Sequence, residues 1–181
     1  DMKYAKAMES SIKLLGISKK TDGNVYAMVS PRMVGKNHPL YSVNDVFNAI
    51  LVKGNTLGET MYYGKGAGKL PTASAVVSDV IDCAKHTDKR KLIGWGPAEN
   101  DYVVNPIEQS SSLYIRAAVN NYDDACSKVS CAFDGVQILK YDGAPANEIA
   151  FVTPLMVEKE ARSKIETLGI ETKNILRVLE Y

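Results

Sequence analysis

The sequence predicts an α+β protein in which an antiparallel meander with flanking helices is followed by a unit of βαββαβ order. Two observations carry this prediction. Residues up to about 90 hold strand-like runs that close on one long helical pattern, and residues 113–181 give a strand, a helix, two strands, a helix and a last strand. Between these blocks, residues 91–112 hold prolines, glycines and serines with no sustained period, as in a linker. The predicted division is therefore 1–90, 91–112 and 113–181.

Composition and charge exclude several classes of function. The 181 residues carry 22 basic and 21 acidic side chains, a net charge of +1, so no electrostatic footprint for nucleic acid is present. No apolar run approaches the roughly 20 residues of a membrane span, and the N-terminus lacks the layout of a secretion signal. We expect a soluble, cytoplasmic protein without nucleic-acid or membrane partners.

The three cysteines do not predict a metal site. They contain no C-x-x-C pair, and only two histidines are available as further ligands. Cys126 and Cys131 fall in one predicted helix, where we expect buried, inert thiols.

The first block begins with a helical pattern in "MKYAKAMESSIKLLG", where Ala5, Met8 and Ile12 recur at helical spacing. A strand follows, Asp22-Gly23 signals a hairpin, and the returning strand is expected to end at Pro31. Two further strands, "VFNAILVKG" and "ETMYYGKG", are joined by the turn sequence "NTLG". We expect these four strands to form one antiparallel meander.

A helix is predicted directly after three alternating glycines. Pro71 suits its first turn, because the missing N–H has no intrahelical partner there. The basic run "KHTDKRK" suits its last turn. Its apolar stripe consists of Val76, Val77, Val80, Ile81 and Ala84.

The glycines themselves, Gly64, Gly66 and Gly68, allow two interpretations. Backbone amides at a helix N-terminus, with Lys65 and Lys69 nearby, suit an anion or phosphate. However, the spacing fits neither G-x-G-x-x-G nor G-x-x-x-x-G-K-[ST]. Alternate glycines also mark a bulge or a close backbone crossing, so both interpretations stay open on spacing alone.

The second block reads as a ferredoxin-like sandwich. "LYIRAAV" alternates as a strand, and Asp123 or Asp124 is expected to cap the helix that follows. "GVQILKY" and "EIAFVTP" read as a hairpin. The last helix is expected to stop at Gly169, before a final strand in "ILRVLEY".

Residues 14–84 resemble the C-terminal part of the catalytic domain of homoserine dehydrogenases. The motifs "HPL", "VFNAI", "GETMYYGKGAG" and "PTASAVVSD", in this order, carry the resemblance. The family interconverts L-homoserine and aspartate 4-semialdehyde by hydride transfer with NAD(P), on the route to threonine and methionine. The resemblance implies that "GAGKLPTA" lies against the nicotinamide end of the cofactor, with Gly66, Gly68 and Thr72 as lining residues.

The resemblance also implies what this chain lacks. The family's Rossmann domain, its acidic substrate-binding residues and its catalytic lysine would precede Asp1, and no G-x-G-x-x-G occurs in residues 1–181. We therefore expect a piece of the enzyme that is inactive alone, contains no catalytic residue and meets NAD(P) only through the absent domain.

The position of the second block makes it resemble the ACT-type regulatory domain that many such enzymes carry. Amino-acid-binding ACT domains usually place an aspartate, a proline and a glycine after the first strand, where this chain has Asn121, Asp123 and Asp124. A ligand carboxylate would there meet the like charge of Asp124, so threonine feedback at this site is not expected. The alternative function is a free-standing ACT-type amino-acid sensor or oligomerisation module. In either case open sheet edges predict a homo-oligomer, at least a dimer.

Three single residues also allow two interpretations each. His38, in "NHPL", is a substrate-side or interface histidine by resemblance, and an ordinary turn histidine by its local sequence. Trp95, in "GWGP", could bind a ligand but is expected instead to pin the linker to a domain surface. Glu59 is a candidate buried carboxylate, although an outward-facing strand residue is the commoner case.

Overall fold

The computed structural model describes residues 1–21, 23–88, 94, 96–97 and 102–179. The chain divides into two compact units. One unit combines Asp1–Tyr41 with Asp101–Tyr181, and the other is Ser42–Asn100. The predicted boundaries at residues 90 and 112 do not coincide with these units, because the first 41 residues fold with the last 81 and not with their neighbours in sequence. The assignment of residues 1–90, 91–112 and 113–181 to separate segments by family resemblance stays a prediction.

Four helices and nine strands lie in the described residues. The helices are α1 (Met2–Ala7), α2 (Lys69–Lys85), α3 (Tyr122–Ala132) and α4 (Glu158–Thr167). The strands are β1 (Ser10–Thr21), β2 (Asn24–Gly35), β3 (Phe47–Gly54), β4 (Gly58–Lys65), β5 (Ser110–Ala118), β6 (Gln137–Leu139), β7 (Glu148–Val152), β8 (Met156–Val157) and β9 (Glu171–Leu179). This mixed content confirms the α+β class.

The larger unit is built on a sheet of order β1-β2-β9-β5-β7-β6, with the short β8 paired to the start of β5. Within it, β9-β5-β7-β6 are all antiparallel neighbours. The predicted βαββαβ order is present in these strands with α3 and α4, and β8 is an additional two-residue strand. The sequence of neighbours, fourth-first-third-second, is that of a ferredoxin-like sandwich.

Apolar side chains fill both faces of this sheet. On one face, Leu113 and Ile115 of β5 and Phe151 of β7 pack with Val129 of α3 and Ile165 of α4. On the other face the packed residues are Tyr4 and Ala5 of α1, Met33 of β2, Tyr114 of β5, Ala150 and Val152 of β7, Leu139 of β6 and Leu176 of β9. The strands alternate between the two cores, and α1 covers the face that α3 and α4 leave open.

The predicted single meander is wrong, because the four strands form two separate hairpins. β1 pairs with β2 in the large sheet, and β3 pairs with β4 in a two-stranded sheet of the smaller unit. β2 cannot also pair with β3, since its second edge runs parallel to β9, with Arg32 opposite Arg177. Near its start the same edge is bridged by Val103.

Pro31 does not end β2, which continues to Gly35. The pair Thr21 and Asn24 closes the hairpin, so backbone groups of even-numbered residues of β2 face β1 and those of odd-numbered residues face away. Val25 shows this, because its N–H donates to the carbonyl of Tyr102 and its carbonyl accepts from Val104. Pro31 faces the same way, so its missing N–H removes no bond from the β1–β2 ladder.

Other predicted boundaries also move. α1 ends at Ala7, and Ile12 lies in β1, because Glu9 adopts a positive φ of 51° that stops the helix. Residues 110–112, which the sequence predicted to belong to the linker, are the first three residues of β5. Cys131 is exposed and Cys126 half-buried, so burial of both thiols is wrong. Trp95 lies outside the described residues.

Candidate functional site

The β3–β4 hairpin leads directly into the glycine-rich segment. Its register places Asn48 opposite Gly64 and Phe47 opposite Lys65, the last residue of β4. The rings of Phe47 and Tyr63 stack with centroids 4.9 Å apart, and Lys65 Nζ lies 5.8 Å from the Phe47 ring centroid. This aromatic pair fixes the end of the hairpin from which Gly66 emerges.

Gly66 and Gly64 have different surroundings. A Cβ at Gly66 would overlap the side-chain amide of Asn48, so no other residue fits there without displacing that amide. A Cβ at Gly64 would meet nothing within 4 Å. At Gly66 the glycine thus makes room for a neighbouring side chain rather than for a crossing backbone, and at Gly64 neither approaches within 4 Å.

Gly68 is the N-cap residue of α2 and has a φ of 114°, a conformation that side chains with a Cβ rarely adopt. No side chain of the described residues caps this helix. The N–H of Thr72 donates to the carbonyl of Gly68 at 3.1 Å, which closes the first turn around Pro71. The amides of Lys69 and Leu70 precede this bond, at the positive end of the helix dipole.

This corner can bind and orient a polar group, and residues 64–72 hold no carboxylate and no histidine. Thr72 presents a hydroxyl on the exposed surface, and Lys65 and Lys69 are exposed cations beside it. An oxygen atom of a ligand would find backbone donors and a favourable dipole here. The structure thus brings the three predicted lining residues, Gly66, Gly68 and Thr72, into one short segment.

The apolar stripe predicted for α2 is exposed rather than buried. Val76, Val77, Val80 and Ile81 have exposed fractions of 57%, 56%, 61% and 48%, and no residue of α2 is buried. At the other end of the helix His86 Nδ1 lies 3.0 Å from an oxygen of the Asp82 carboxylate. Both ends of α2 therefore have defined polar contacts, with an exposed apolar stripe between them.

A second candidate site is a cavity of about 600 Å³ at the loop between β5 and α3. Asn121 lines it and caps α3, because its Oδ1 accepts the N–H of Asp124 at 3.1 Å. The prediction that Asp123 or Asp124 is the cap is wrong by two or three positions. An asparagine at this place accepts the same bond without adding charge.

Charges of both signs line this cavity. Asp124 pairs with Lys128 at 2.8 Å, and Glu171 and Lys173 lie on the opposite wall. The carboxylate of Asp124 lines the cavity, and Lys128 offsets part of its charge.

His38 takes part in a turn. It is 6% exposed, and its Nδ1 accepts the N–H of Leu40 at 3.1 Å in the short 3-10 helix Pro39–Ser42. Glu59 pairs with Lys53 at 3.2 Å on the hairpin. Asn48 was not among the predicted site residues; the strand register, which places it opposite Gly64, identifies it as the residue whose side chain lies against Gly66.

Two classes of site are absent from the part of the chain that the structure describes. No group of three or more metal-ligating side chains occurs there. No helix there is both long and apolar enough to cross a bilayer.

Comparison with known proteins gives one family. Residues 1–81 match the sequence profile described as homoserine dehydrogenase. The homoserine dehydrogenase of Neisseria gonorrhoeae is 31% identical over 93% of this chain and 42% of that protein. The enzyme of Synechocystis sp. is 49% identical over 45% of this chain and 20% of that protein. A crystal structure of a homoserine dehydrogenase from Thiobacillus denitrificans aligns with a TM-score of 0.78 at 25% identity, over 99% of this chain and 45% of that one.

These relatives are named as one class of enzyme, the oxidoreductases. Within that class its sequence and fold are those of the homoserine dehydrogenase family, and the resemblance predicted from the motifs is confirmed. The chain spans less than half the length of the relatives that it matches.

Proposed function

We propose that this chain supplies the nicotinamide-facing wall of an NAD(P)-dependent homoserine dehydrogenase. The carrying observation is the exposed corner at Gly68 and Thr72, which lies inside the segment that matches the family. The enzyme would interconvert L-homoserine and aspartate 4-semialdehyde, the step that leads to threonine and methionine. The alternative of a free-standing sensor is not favoured, because the relatives that align over most of the chain are named as enzymes.

The residues of the corner suit the nicotinamide end of a dinucleotide rather than its adenine and phosphate half. The Lys69 and Leu70 amides and the Thr72 hydroxyl suit the carboxamide of a nicotinamide ring. Gly68 keeps the helix start free of a side chain, and Gly66 brings its backbone close to Asn48. The spacing of the glycines does not match a pyrophosphate loop, so the adenine and phosphate half would be held by other parts of the enzyme.

When bound, the cofactor would accept a hydride from the alcohol carbon of homoserine. The role of this chain is to orient the ring and to exclude water from one side of it. No side chain of the corner is placed to take the hydroxyl proton. The proton-transfer residues would therefore belong to the substrate-binding part that precedes these residues in the family.

The test is a hybrid enzyme in which this chain replaces the corresponding C-terminal part of the Synechocystis enzyme. We expect Gly68→Ala to raise the KM for NADP and to lower kcat/KM by about ten- to a hundredfold, since small displacements of a positioning group have such effects. The KM for homoserine should change little.

Gly64→Ala is the matched control, because a Cβ there meets no atom within 4 Å. Its kinetics should match those of the unsubstituted hybrid. Equal effects of both substitutions on an equally stable hybrid, or no effect of either, would contradict the proposed wall.

We also propose that residues 113–181 form an ACT-type domain and that the cytoplasmic enzyme is at least a dimer. The strand order β9-β5-β7-β6 supports the first point. The second is supported by β1, a twelve-residue strand at the outer edge of the large sheet with an exposed Leu14. An unpaired edge of this length is a template for a second strand.

A further inference from the structure

A buried arginine on β2 lacks a counter-charge. Arg32 is 6% exposed, and no ion pair among the described residues includes it. Removing a guanidinium from water without an opposite charge beside it costs a large desolvation free energy. An anion that reached Arg32 would therefore stabilise the folded chain.

The Arg32 side chain runs back along its own strand. Its Nη2 donates to the hydroxyl of Tyr26 at 2.7 Å and lies 3.5 Å from the sulfur of Met28. Because alternate residues of a strand share a face, the side chain passes Ser30 on its way from position 32 to position 26. Tyr26 and Met28 are neutral, so they hold the guanidinium in place without compensating its charge.

Two donors along this path have no acceptor. Arg32 Nε and the hydroxyl of Ser30 are both buried, and neither has a hydrogen-bond partner, so they do not bond to each other. Ser30 as a whole is 8% exposed. Alternate residues of a strand are roughly 7 Å apart, so one small ion can contact both donors. Buried polar groups without a protein partner are ordinarily satisfied by an ordered water or ion.

The neighbouring strands carry positive charge at this level of the sheet. Lys13 of β1 and Arg177 of β9 lie directly opposite Arg32, one on each side. Residues that are opposite each other in a sheet share a face. This row of cations favours an anion over a neutral water between the two donors.

The carboxylates closest to this row have other partners. Glu158 accepts hydrogen bonds from Arg177 and from Arg162. Glu108 belongs to the 3-10 helix that packs against β2, and it pairs with Lys159 at 3.0 Å. Neither carboxylate therefore neutralises the charge of Arg32.

We propose that a chloride ion binds between Arg32 and Ser30, where it accepts hydrogen bonds from Arg32 Nε and from the Ser30 hydroxyl. A water molecule would satisfy the two donors but would leave the guanidinium charge uncompensated. Since both donors are buried, the position suits a monatomic anion rather than a phosphate or an organic acid. The inference goes beyond the proposed dehydrogenase function and does not rest on it.

The test is a titration of the 181-residue chain with sodium chloride, followed by the linewidth of the chlorine NMR signal. Sodium gluconate, whose anion is too bulky for the position, keeps the ionic strength constant. We expect excess broadening that saturates, and bromide should displace the bound chloride. At ten times the dissociation constant, chloride should lower the unfolding equilibrium constant about tenfold.

Arg32→Met and Ser30→Ala should each weaken chloride binding by about tenfold or more, because each removes a hydrogen bond to a charged group. Ser30→Ala is decisive if Arg32→Met does not fold, since the serine hydroxyl has no protein partner to lose. The matched controls are Lys20→Met and Ser18→Ala, which change exposed residues of β1 opposite Val25 and Ala27. Both should leave the affinity unchanged.

Three results would overturn the proposal. The first is the absence of saturable broadening, which is the outcome expected if a water lies between the two donors. The second is an unchanged chloride affinity in a folded Arg32→Met variant or in Ser30→Ala. The third is an equal loss of affinity in Lys20→Met, which would show that chloride only accumulates around the net charge of the chain.

Discussion

Gly66 and Gly68 are glycines for two different physical reasons. At Gly66 the space for a side chain is taken by the Asn48 amide, and at Gly68 the backbone has a φ of 114°. The first constraint is local packing of the hairpin, and the second sets the entry angle of α2. A cofactor wall at this corner would therefore use the backbone shape that these two residues hold.

Two buried tyrosines predict how stability depends on pH. Burial raises the pKa of the Tyr4 and Tyr114 hydroxyls well above the ordinary value of 10.0, and at Tyr4 the hydrogen bond to Glu148 adds to the shift. The folded chain keeps these protons where the unfolded chain releases them. Their contribution is therefore complete below about pH 10 and is lost as pH rises above it.

Tyr114→Phe removes one of these groups and should flatten the fall in unfolding free energy as the pH rises above about 10. The measurement is urea denaturation at a series of fixed pH values. Tyr62→Phe, at a site 64% exposed, is the control and should leave the slope unchanged. If the unfolding free energy falls equally steeply with pH in the wild type and in Tyr114→Phe, burial of this hydroxyl does not cause the loss of stability at alkaline pH.

The sequence predicts Gly66, Gly68 and Thr72 as lining residues, but it does not show why two of these positions are glycines. Glycine spacing alone favoured a bulge or a close backbone crossing over a cradle without deciding between them, since spacing carries no information on φ or on which side chain approaches. Asn48 could only be found once the register placed it opposite Gly64.

α4 is attached to the sheet through one buried carboxylate. Glu158 is 1% exposed and accepts two bonds from Arg177 of β9, at 2.6 and 2.7 Å, and one from Arg162 at 2.8 Å. Its N–H donates to the carbonyl of Gln109. Through its side chain and its backbone N–H, this single residue thus joins a helix, a strand and the segment that leads into β5.

Glu158→Gln should lower the free energy of unfolding by about 3–5 kcal/mol, because two guanidinium groups lose their anion. Chemical denaturation followed by circular dichroism measures this. Glu160→Gln lies in the same first turn of α4 and is exposed, so it controls for the helix dipole. Losses of similar size in both variants would contradict a special role for Glu158.

Most elements could be predicted from local patterns, while their pairing could not. The helices α2, α3 and α4 and the strands β3, β4, β5, β7 and β9 lie close to their predicted places. The prediction of a single meander is wrong because a strand pattern does not show which strand pairs with each of its two edges. The partner of β2 at its second edge is β9, which lies more than 130 residues away in sequence. The prediction that Pro31 ends β2 is wrong for a related reason, because the direction in which its backbone nitrogen points depends on the hairpin register.

In the whole molecule, the β1–β2 hairpin extends the ferredoxin-like sheet, so β1 rather than β9 is the outer strand at that end. This changes where edge-to-edge pairing of two copies would occur. Because Thr21 and Asn24 close the hairpin, odd-numbered residues of β1 direct their backbone groups toward β2 and even-numbered residues direct theirs away from it. Leu14 lies on this edge strand with 73% of its surface exposed.

Leu14→Lys should shift the chain from dimer toward monomer, because a lysine on an edge strand disfavours addition of another strand. Sedimentation at several protein concentrations measures the dissociation constant. Val29→Lys is the matched control, since Val29 is also 73% exposed but lies on β2. A monomeric wild-type chain, or equal dissociation of both variants, would contradict pairing through β1.

The central claim is most directly tested by the crystal structure of the hybrid enzyme with NADP bound. The account predicts the nicotinamide ring within about 4 Å, van der Waals contact, of the backbone at Gly66 or Gly68, with its carboxamide near the start of α2. A nicotinamide ring bound without any contact to residues 64–72 would contradict the claim.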